Sequence, residues 1–184
     1  MNDPFHHIQT ATRLHLAEHG CGAYTFEDGP SLTTLSRSLR PDRVLELGTA
    51  LGYTACCLAH GCSPAQVDTI DKDPLHLRLA ARHLENAGLM DRVKLHLGSF
   101  DTVIDNLSPF YDMAFFDGFA PSPQTIERVR ELLTPTGVLV CANLGLADLQ
   151  SARKLTLDFN DPARWKSLPN IEAGQTLVLR KVTP

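Results

Sequence analysis

The chain has 184 residues, 43% of them hydrophobic, which is enough for one globular domain with a full core. A net charge of -4 and a pI near 6.0 leave no basic surplus for phosphate backbones, which excludes a standing nucleic-acid surface. Residues 47–67 carry no formal charge, yet Gly48, Gly52, Gly61 and Pro64 among several polar residues exclude a membrane span.

The chain opens on Met1-Asn2-Asp3-Pro4-Phe5-His6-His7, with no basic segment followed by an apolar one, so a soluble cytoplasmic protein is expected. Residues 1–40 read as an N-terminal helical segment. Ile8, Thr12, His15 and Leu16 share one helical face before Gly20 and Gly22 interrupt it. After the loop Tyr24-Thr25-Phe26-Glu27-Asp28-Gly29, a second helix runs from about Ser31 to Leu39 with Pro30 at its start. Arg40-Pro41-Asp42 ends this preamble, and the core of 41–184 begins.

Strand 1 starts at Arg43 or Val44 and runs into Glu46-Leu47-Gly48-Thr49-Ala50-Leu51-Gly52-Tyr53-Thr54. An apolar run, an acid and two glycines four apart predict a strand, a tight turn and a helix. Glycines let the backbone come close to a ligand, and the free N–H groups of a new helix offer donors to an anionic group. The turn is therefore read as a site for a nucleotide-like or carboxylate-bearing cofactor. A dinucleotide fingerprint would need glycines at 48, 50 and 53, where the chain has Gly48, Ala50 and Tyr53, and no Gly-Lys-Ser/Thr follows to make a P-loop.

Thr54 to His60 is predicted as a helix stopped by Gly61, and Gln66 to Ile70 as the second strand. Asp73 can cap the next helix, with Pro74 in its first turn and Gly88 as its stop. Leu75, Leu79 and Leu84 on that helix have core-like spacing. Asp71, 25 positions after Glu46, sits where an acid of a βαβ unit hydrogen-bonds ribose hydroxyls. Val93 to Leu97 is strand 3, followed by Gly98-Ser99-Phe100-Asp101, and Tyr111 to Phe116 is strand 4, followed by Asp117-Gly118-Phe119-Ala120-Pro121. A helix from about Pro123 to Leu133 leads through Pro135-Thr136-Gly137 to strand 5, Val138 to Ala142, with Asn143 at its tip. A further helix spans about Ala147 to Phe159, and Trp165 to Leu168 can pair antiparallel with Gln175 to Val182. Strands alternating with helices predict one α/β domain with a mostly parallel, seven-stranded sheet closed by an antiparallel C-terminal strand. Ligands of such sheets sit beyond the carboxyl ends of the strands, where Glu46, Gly48, Asp71, Gly98, Asp117 and Asn143 all fall. The five cysteines, Cys21, Cys56, Cys57, Cys62 and Cys141, form no C-x-x-C pair and read as free, buried thiols.

Taken together these segments resemble the class I S-adenosylmethionine-dependent methyltransferases, and within them the small O-methyltransferase family that includes catechol and caffeoyl-coenzyme A methyltransferases. The resemblance runs from about Phe26 to Lys181. It is carried by Leu45-Glu46-Leu47-Gly48-Thr49 with Gly52-Tyr53-Thr54, by Ile70-Asp71-Lys72-Asp73-Pro74, by Leu97-Gly98-Ser99, and by Tyr111 to Asp117. Phe159-Asn160 and Gly174-Gln175-Thr176-Leu177 extend it toward the C-terminus. It implies a Rossmann-like fold and S-adenosylmethionine as donor, with S-adenosylhomocysteine as product. By the resemblance Gly48, Thr49, Gly52 and Thr54 surround the methionine end of the cofactor, and Asp71 holds the ribose. Ser99 and Phe100 lie by the adenine, and Phe119 closes over the cofactor. Glu46, Tyr53, Lys72, Gly98 and Asp117 complete the implied set. A homodimer is implied as well, with the N-terminal segment as acceptor pocket or dimer contact.

Relatives of this type bind a divalent metal through an Asp after strand 4 and an Asp-Asn pair after strand 5, with a Lys three residues after the first Asp as base. Asp117 and Asn143 match two of these positions, whereas the second acid falls on Ala142 and the lysine on Ala120. Mg²⁺ prefers about six oxygen ligands held by carboxylates, so the expectation is an enzyme without a metal. Asp117 is then the candidate catalytic acid or base, acting on a small-molecule acceptor with oxygen as the first choice of atom. The string Asp117 to Pro121 is also similar to a segment of methyltransferases that modify an aminomethyl-uridine, which keeps nitrogen open as acceptor. Two further alternatives are a Mg²⁺-dependent O-methyltransferase and a catalytically silent cofactor-binding scaffold. Among the histidines, His6, His7, His15 and His19 lie where one could serve as base. His76 and His83 read as distant from the strand tips.

Overall fold

The computed structural model describes residues 3–20 and 24–183; Cys21 and Gly22, read above as a thiol and a helix breaker, lie outside them. Two helices precede the sheet, α1 (His6–Glu18) and α2 (Gly29–Leu39). The first buries Ile8, Thr12 and Leu16, as their spacing requires, together with Gln9. The second is capped by Asp28, whose side chain accepts from the Ser31 N–H. Then β1 (Arg43–Leu47), α3 (Tyr53–Gly61), β2 (Gln66–Asp71), α4 (Pro74–Asn86), β3 (Val93–Leu97) and α5 (Phe100–Ile104) follow in turn. The chain continues through β4 (Tyr111–Phe116), α6 (Pro123–Leu132), β5 (Leu133–Cys141), α7 (Leu149–Phe159), β6 (Trp165–Ser167) and β7 (Leu177–Lys181).

The seven strands form one sheet in the order β3-β2-β1-β4-β5-β7-β6. The pairs β1·β2, β1·β4, β2·β3 and β4·β5 are parallel, while β7 runs antiparallel to both β5 and β6. The chain builds outward from β1 to β3, then returns to lay β4 on the other side of β1. That reversal opens a crevice at the carboxyl ends of β1 and β4.

Both faces of the central strands are covered, so their sequences are mostly apolar rather than alternating, with the buried Glu46 of β1 as an exception. Val44, Met113, Phe115 and Val140 pack against residues of α1 to α4, including Ile8, Leu32, Leu58 and Leu84. Leu45, Leu47, Phe116 and Leu139 point the other way, against Ile104, Ile126, Val129 and Leu155 of α5 to α7. On α4 the buried stripe is Leu77, Ala80 and Leu84, so Leu75 and Leu79 are only partly covered. Cys56, Cys57, Cys62 and Cys141 are free and buried.

Most boundaries agree with the sequence reading to within two residues, and the larger departures are these. β5 begins at Leu133 instead of Val138, because Leu133 pairs with Tyr111 and, after a register shift across Pro135-Thr136-Gly137, Val138 pairs with Met113. The short α5 was not anticipated; Ser99 caps it by accepting from the Thr102 N–H, and five residues are too few for helical periodicity to register. Within two residues of its expected start, α7 begins at Leu149, where Asp148 accepts from the N–H groups of Gln150 and Ser151. Among the described residues no helix is long and apolar enough to cross a membrane.

Candidate functional site

A cavity of about 450 Å³ lies beyond the carboxyl ends of β1, β2, β3 and β4. Its floor is the turn after β1. Gly48 has φ +109°, and a Cβ there would lie 2.5 Å from the carbonyl oxygen of Asp117, so only glycine lets the turn cross the end of β4. Gly52, at φ +88°, caps α3 from the left-handed region, where a side chain would be strained. Its open face is turned to Ala80 of α4, 3.2 Å from a would-be Cβ, and not to the cavity.

Behind this floor stands Glu46, fully buried. Its Oε2 accepts from the Thr69 hydroxyl at 2.6 Å, which leaves the Thr49 hydroxyl to donate to Thr69 Oγ1 at 2.6 Å. A chain of hydroxyls thus links Thr49 on the cavity wall to the buried acid. Glu46 Oε1 has no hydrogen-bond partner among the described residues. Burial pushes its carboxyl up to about 7, helped by the charge of Asp71 and opposed by the Thr69 hydrogen bond and the nearby Thr54 hydroxyl.

Asp71, at the end of β2, accepts from the N–H groups of Ala50 and Asp73, each at 2.9 Å. The ring of His76 reaches the same carboxylate, with Nδ1 3.2 Å from Oδ2. Lys72, Gly98, Ser99 and Phe100 continue the wall. On the opposite side, Asp117 is held by the Nδ2 of Asn143 at 3.3 Å, and Asn143 also donates to the Gly118 carbonyl at 2.8 Å. Burial, and after it the charges of Glu46 and Glu172, raise the Asp117 carboxyl well above its ordinary range, while the Asn143 contact pulls against them. Phe119 stands 62% exposed at the mouth.

The remaining wall comes from outside the strand tips. Thr12 and Leu16 of α1 and the segment Tyr24-Thr25-Phe26 face the cavity. Glu172 fastens that segment: it accepts from the Tyr24 hydroxyl at 2.7 Å, the Glu27 N–H at 3.1 Å and the Thr176 hydroxyl at 2.7 Å. It does so from a left-handed backbone, φ +53°, within the turn before β7. Asp28 ties the same turn back by accepting from the Glu172 N–H at 3.2 Å.

The family whose sequence pattern is described as a methyltransferase domain matches residues 45–144, more than half of the chain. The chain belongs to this methyltransferase family. A protein of Mycobacterium sp. (strain JLS) named for O-methyltransferase activity is 34% identical to this methyltransferase domain over 137 residues, 72% of this chain and 62% of that one. A catechol O-methyltransferase of Mycobacterium tuberculosis is 33% identical over 97 residues, 52% of this chain and 44% of the relative. The chain therefore spans less than two thirds of the length of these curated relatives. Among solved structures, the O-methyltransferase TomG of Streptomyces achromogenes, in complex with S-adenosylmethionine, superposes with a TM-score of 0.82 at 22% identity. That superposition covers all of this chain and 92% of the other. An S-adenosylhomocysteine-bound methyltransferase of Podospora anserina gives a TM-score of 0.81 at 18% identity, over 100% of this chain and 89% of that one. At such identities the likeness is one of fold, the Rossmann-like class I methyltransferase sandwich.

Of the residues singled out from the sequence, Gly48, Thr49, Tyr53, Thr54, Asp71 and Lys72 line the methyltransferase cavity, as do Gly98, Ser99, Phe100, Asp117 and Phe119. Glu46 and Gly52 stand behind its wall. Tyr53 also donates to Asp3 Oδ2 at 2.6 Å, fixing the chain start to α3. The histidines need correction. His6 and His7 are exposed on α1, while His15 and His19 stack on each other with ring centroids 4.0 Å apart, and none of the four lines the cavity. His76 does line it, and His83 Nδ1 lies 2.8 Å from the Leu51 carbonyl of the glycine turn. The helix containing both leans over the end of β2, a placement that spacing along α4 does not encode. Tyr24 and Glu172 were missed; nothing in the sequence near Glu172 marks it beyond turn residues.

Proposed function

We propose that this domain transfers a methyl group from S-adenosylmethionine to an oxygen of a small-molecule acceptor, without a divalent metal. The observation that carries the reading is the convergence of Asp71, Ser99, Phe100 and Asp117 on one cavity at the switch point of the sheet. The residues suit this cofactor. Glu46 Oε1 is a buried acceptor lacking a donor, and the charges of Glu46 and Glu172 add to burial in raising the proton affinity of Asp117, an environment that favours a ligand bearing cationic groups. Asp71 would hold the ribose hydroxyls and Ser99 and Phe100 the adenine. Thr49, Thr54 and the Gly48 turn would hold the methionine end, with Lys72, Tyr53 and Gly98 on the flanks and Phe119 as cover. When bound, the cofactor supplies a methyl group already activated on a sulfonium, so the protein's contribution is placement and proton removal.

Asp117 is the group placed to take the acceptor's proton. A carboxyl whose proton affinity is raised is a better base near neutral pH than an ordinary aspartate. The residues do not fit a hexacoordinate metal. Ala142 and Ala120 stand at the ligand and lysine positions, and the Asn143 amide nitrogen, which cannot ligate, is turned to Asp117. Among the described residues, no group of three or more His, Cys, Asp or Glu could hold a metal ion.

The reading includes one domain, in which residues 1–40 supply the acceptor wall through Thr12, Leu16, Tyr24 and Phe26. It includes a cytoplasmic location, supported by the free, buried cysteines, and a homodimer, supported by the exposed Leu149 and Leu157 on α7. Sedimentation equilibrium showing only monomer would refute the dimer. The main test is transfer of a labelled methyl group from S-adenosylmethionine to catechol and to a small-molecule cell extract, with mass readout, in chelator and in Mg²⁺. A labelled product in chelator supports the reading. A product only in Mg²⁺ shifts it to a metal enzyme built on Asp117 and Asn143, and cofactor binding without any product shifts it to a silent scaffold.

A further inference from the structure

Asp71 has three hydrogen-bond donors already: the N–H of Asp73 on Oδ1, and on Oδ2 the N–H of Ala50 together with the Nδ1 of His76. A carboxylate has about four acceptor positions, so one remains, whereas a ribose diol brings two hydroxyls. Both hydroxyls fit on Asp71 only if one donor leaves. The Ala50 and Asp73 N–H groups are fixed by the turn after β1 and the start of α4; His76 alone is a side chain that can rotate. Its ring lines the cavity beside the acid it holds.

We propose that His76 is a positioning residue that occupies part of the ribose site, so that cofactor binds by displacing His76 from Asp71 and binds more weakly in acid, where the charged ring grips Asp71 more firmly. The inference rests on the reading of Asp71 as the ribose acid. The groups facing His76 agree with it. Asp71 lies at 3.2 Å, and Asp73 at 3.8 Å from Nε2 offers a second carboxylate to the charged ring. From α1, His15 meets it edge-on with ring centroids 5.2 Å apart, and His19 stacks behind His15. The hydrogen bond that His76 donates to Asp71, ahead of the opposing effect of burial, raises the proton affinity of His76, whereas burial and then the neighbouring His19 and His76 lower that of His15. Of these two rings, His76 is thus the one whose protonated form its surroundings favour. On release from Asp71 it loses that preference, so cofactor binding expels a proton from His76 to solvent.

The test is calorimetric titration of S-adenosylhomocysteine into the full chain between pH 5.5 and 7.5, in two buffers of different ionisation enthalpy, for the parent, His76→Asn and His76→Ala. Asparagine keeps an N–H near the Nδ1 position but does not titrate. The parent is expected to lose about tenfold in affinity from pH 7.5 to 5.5 and to release a proton on binding. Both variants are expected to bind with no slope and no proton release, and His76→Ala to bind tighter than the parent at pH 5.5. A flat parent profile, or the parental slope persisting in His76→Asn, overturns the inference while leaving the cofactor assignment intact. Absence of binding at every pH in the parent overturns both.

Discussion

Replacing Glu46 with glutamine will stabilise the protein at alkaline pH and leave it unchanged in acid. Glu46 is fully buried, and its carboxyl is raised from 4.5 to about 7, chiefly by loss of solvent. In the unfolded chain the same carboxyl titrates near its ordinary value. Between those two pH values the folded protein holds a proton that the unfolded chain has lost, so stability falls as pH rises. The contribution is fully present below pH 4.5 and is lost as pH passes through about 7. Each tenfold change in proton affinity is worth about 1.4 kcal/mol, which makes the loss about 3 kcal/mol at pH 8. Glutamine imitates the protonated acid: its oxygen can take the Thr69 hydroxyl, and its N–H replaces Oε1, which has no partner in either case. Urea and thermal unfolding at pH 4, 5, 6, 7 and 8 are expected to coincide for parent and variant at pH 4. At pH 8 they should separate by about 3 kcal/mol in favour of Glu46→Gln, roughly 6 to 12 °C in a chain of this size. A difference independent of pH, or a variant weaker than the parent at pH 8, would refute the reasoning.

Three further outcomes follow from the site. Gly48→Ala drives a Cβ to 2.5 Å from the Asp117 carbonyl at a φ of +109°, and is expected to cost more than about 2 kcal/mol and abolish cofactor binding; an unchanged melting temperature would contradict this. Asp117→Asn should keep S-adenosylhomocysteine binding by calorimetry and lower methyl transfer about 100-fold at pH 8. It should also remove the acid limb of the pH–rate profile, since activity carried by a carboxylate of raised proton affinity is lost as pH falls through its titration. Transfer at the parental rate would remove Asp117 from the chemistry. Phe119→Ala, at a site 62% exposed, should shift stability by less than about 0.5 kcal/mol while raising KM several-fold. A large fall in melting temperature would show Phe119 to be structural instead.

Much of this molecule is local and therefore readable along the chain. Strand and helix periods, the Gly48 turn and the acid 25 residues after Glu46 are set by backbone sterics and by which faces must be apolar, and these leave marks at short spacing. The same holds for Asp117 at the end of β4, since a parallel strand buried on both faces ends visibly where the apolar run stops. The roles of Tyr24 and Glu172 left no such mark. They meet across 148 residues because β7 enters the sheet beside β5 and brings the preceding turn over the mouth of the cavity. His76 is a comparable case: its distance from Asp71 along the chain is short, but whether α4 turns that ring toward the cavity or toward solvent depends on how Leu77, Ala80 and Leu84 seat the helix. Sequence determined which elements form and which acids lie at their ends. Only tertiary packing decided which side chains share the cavity, because burial and the resulting shifts in proton affinity depend on neighbours distant in sequence.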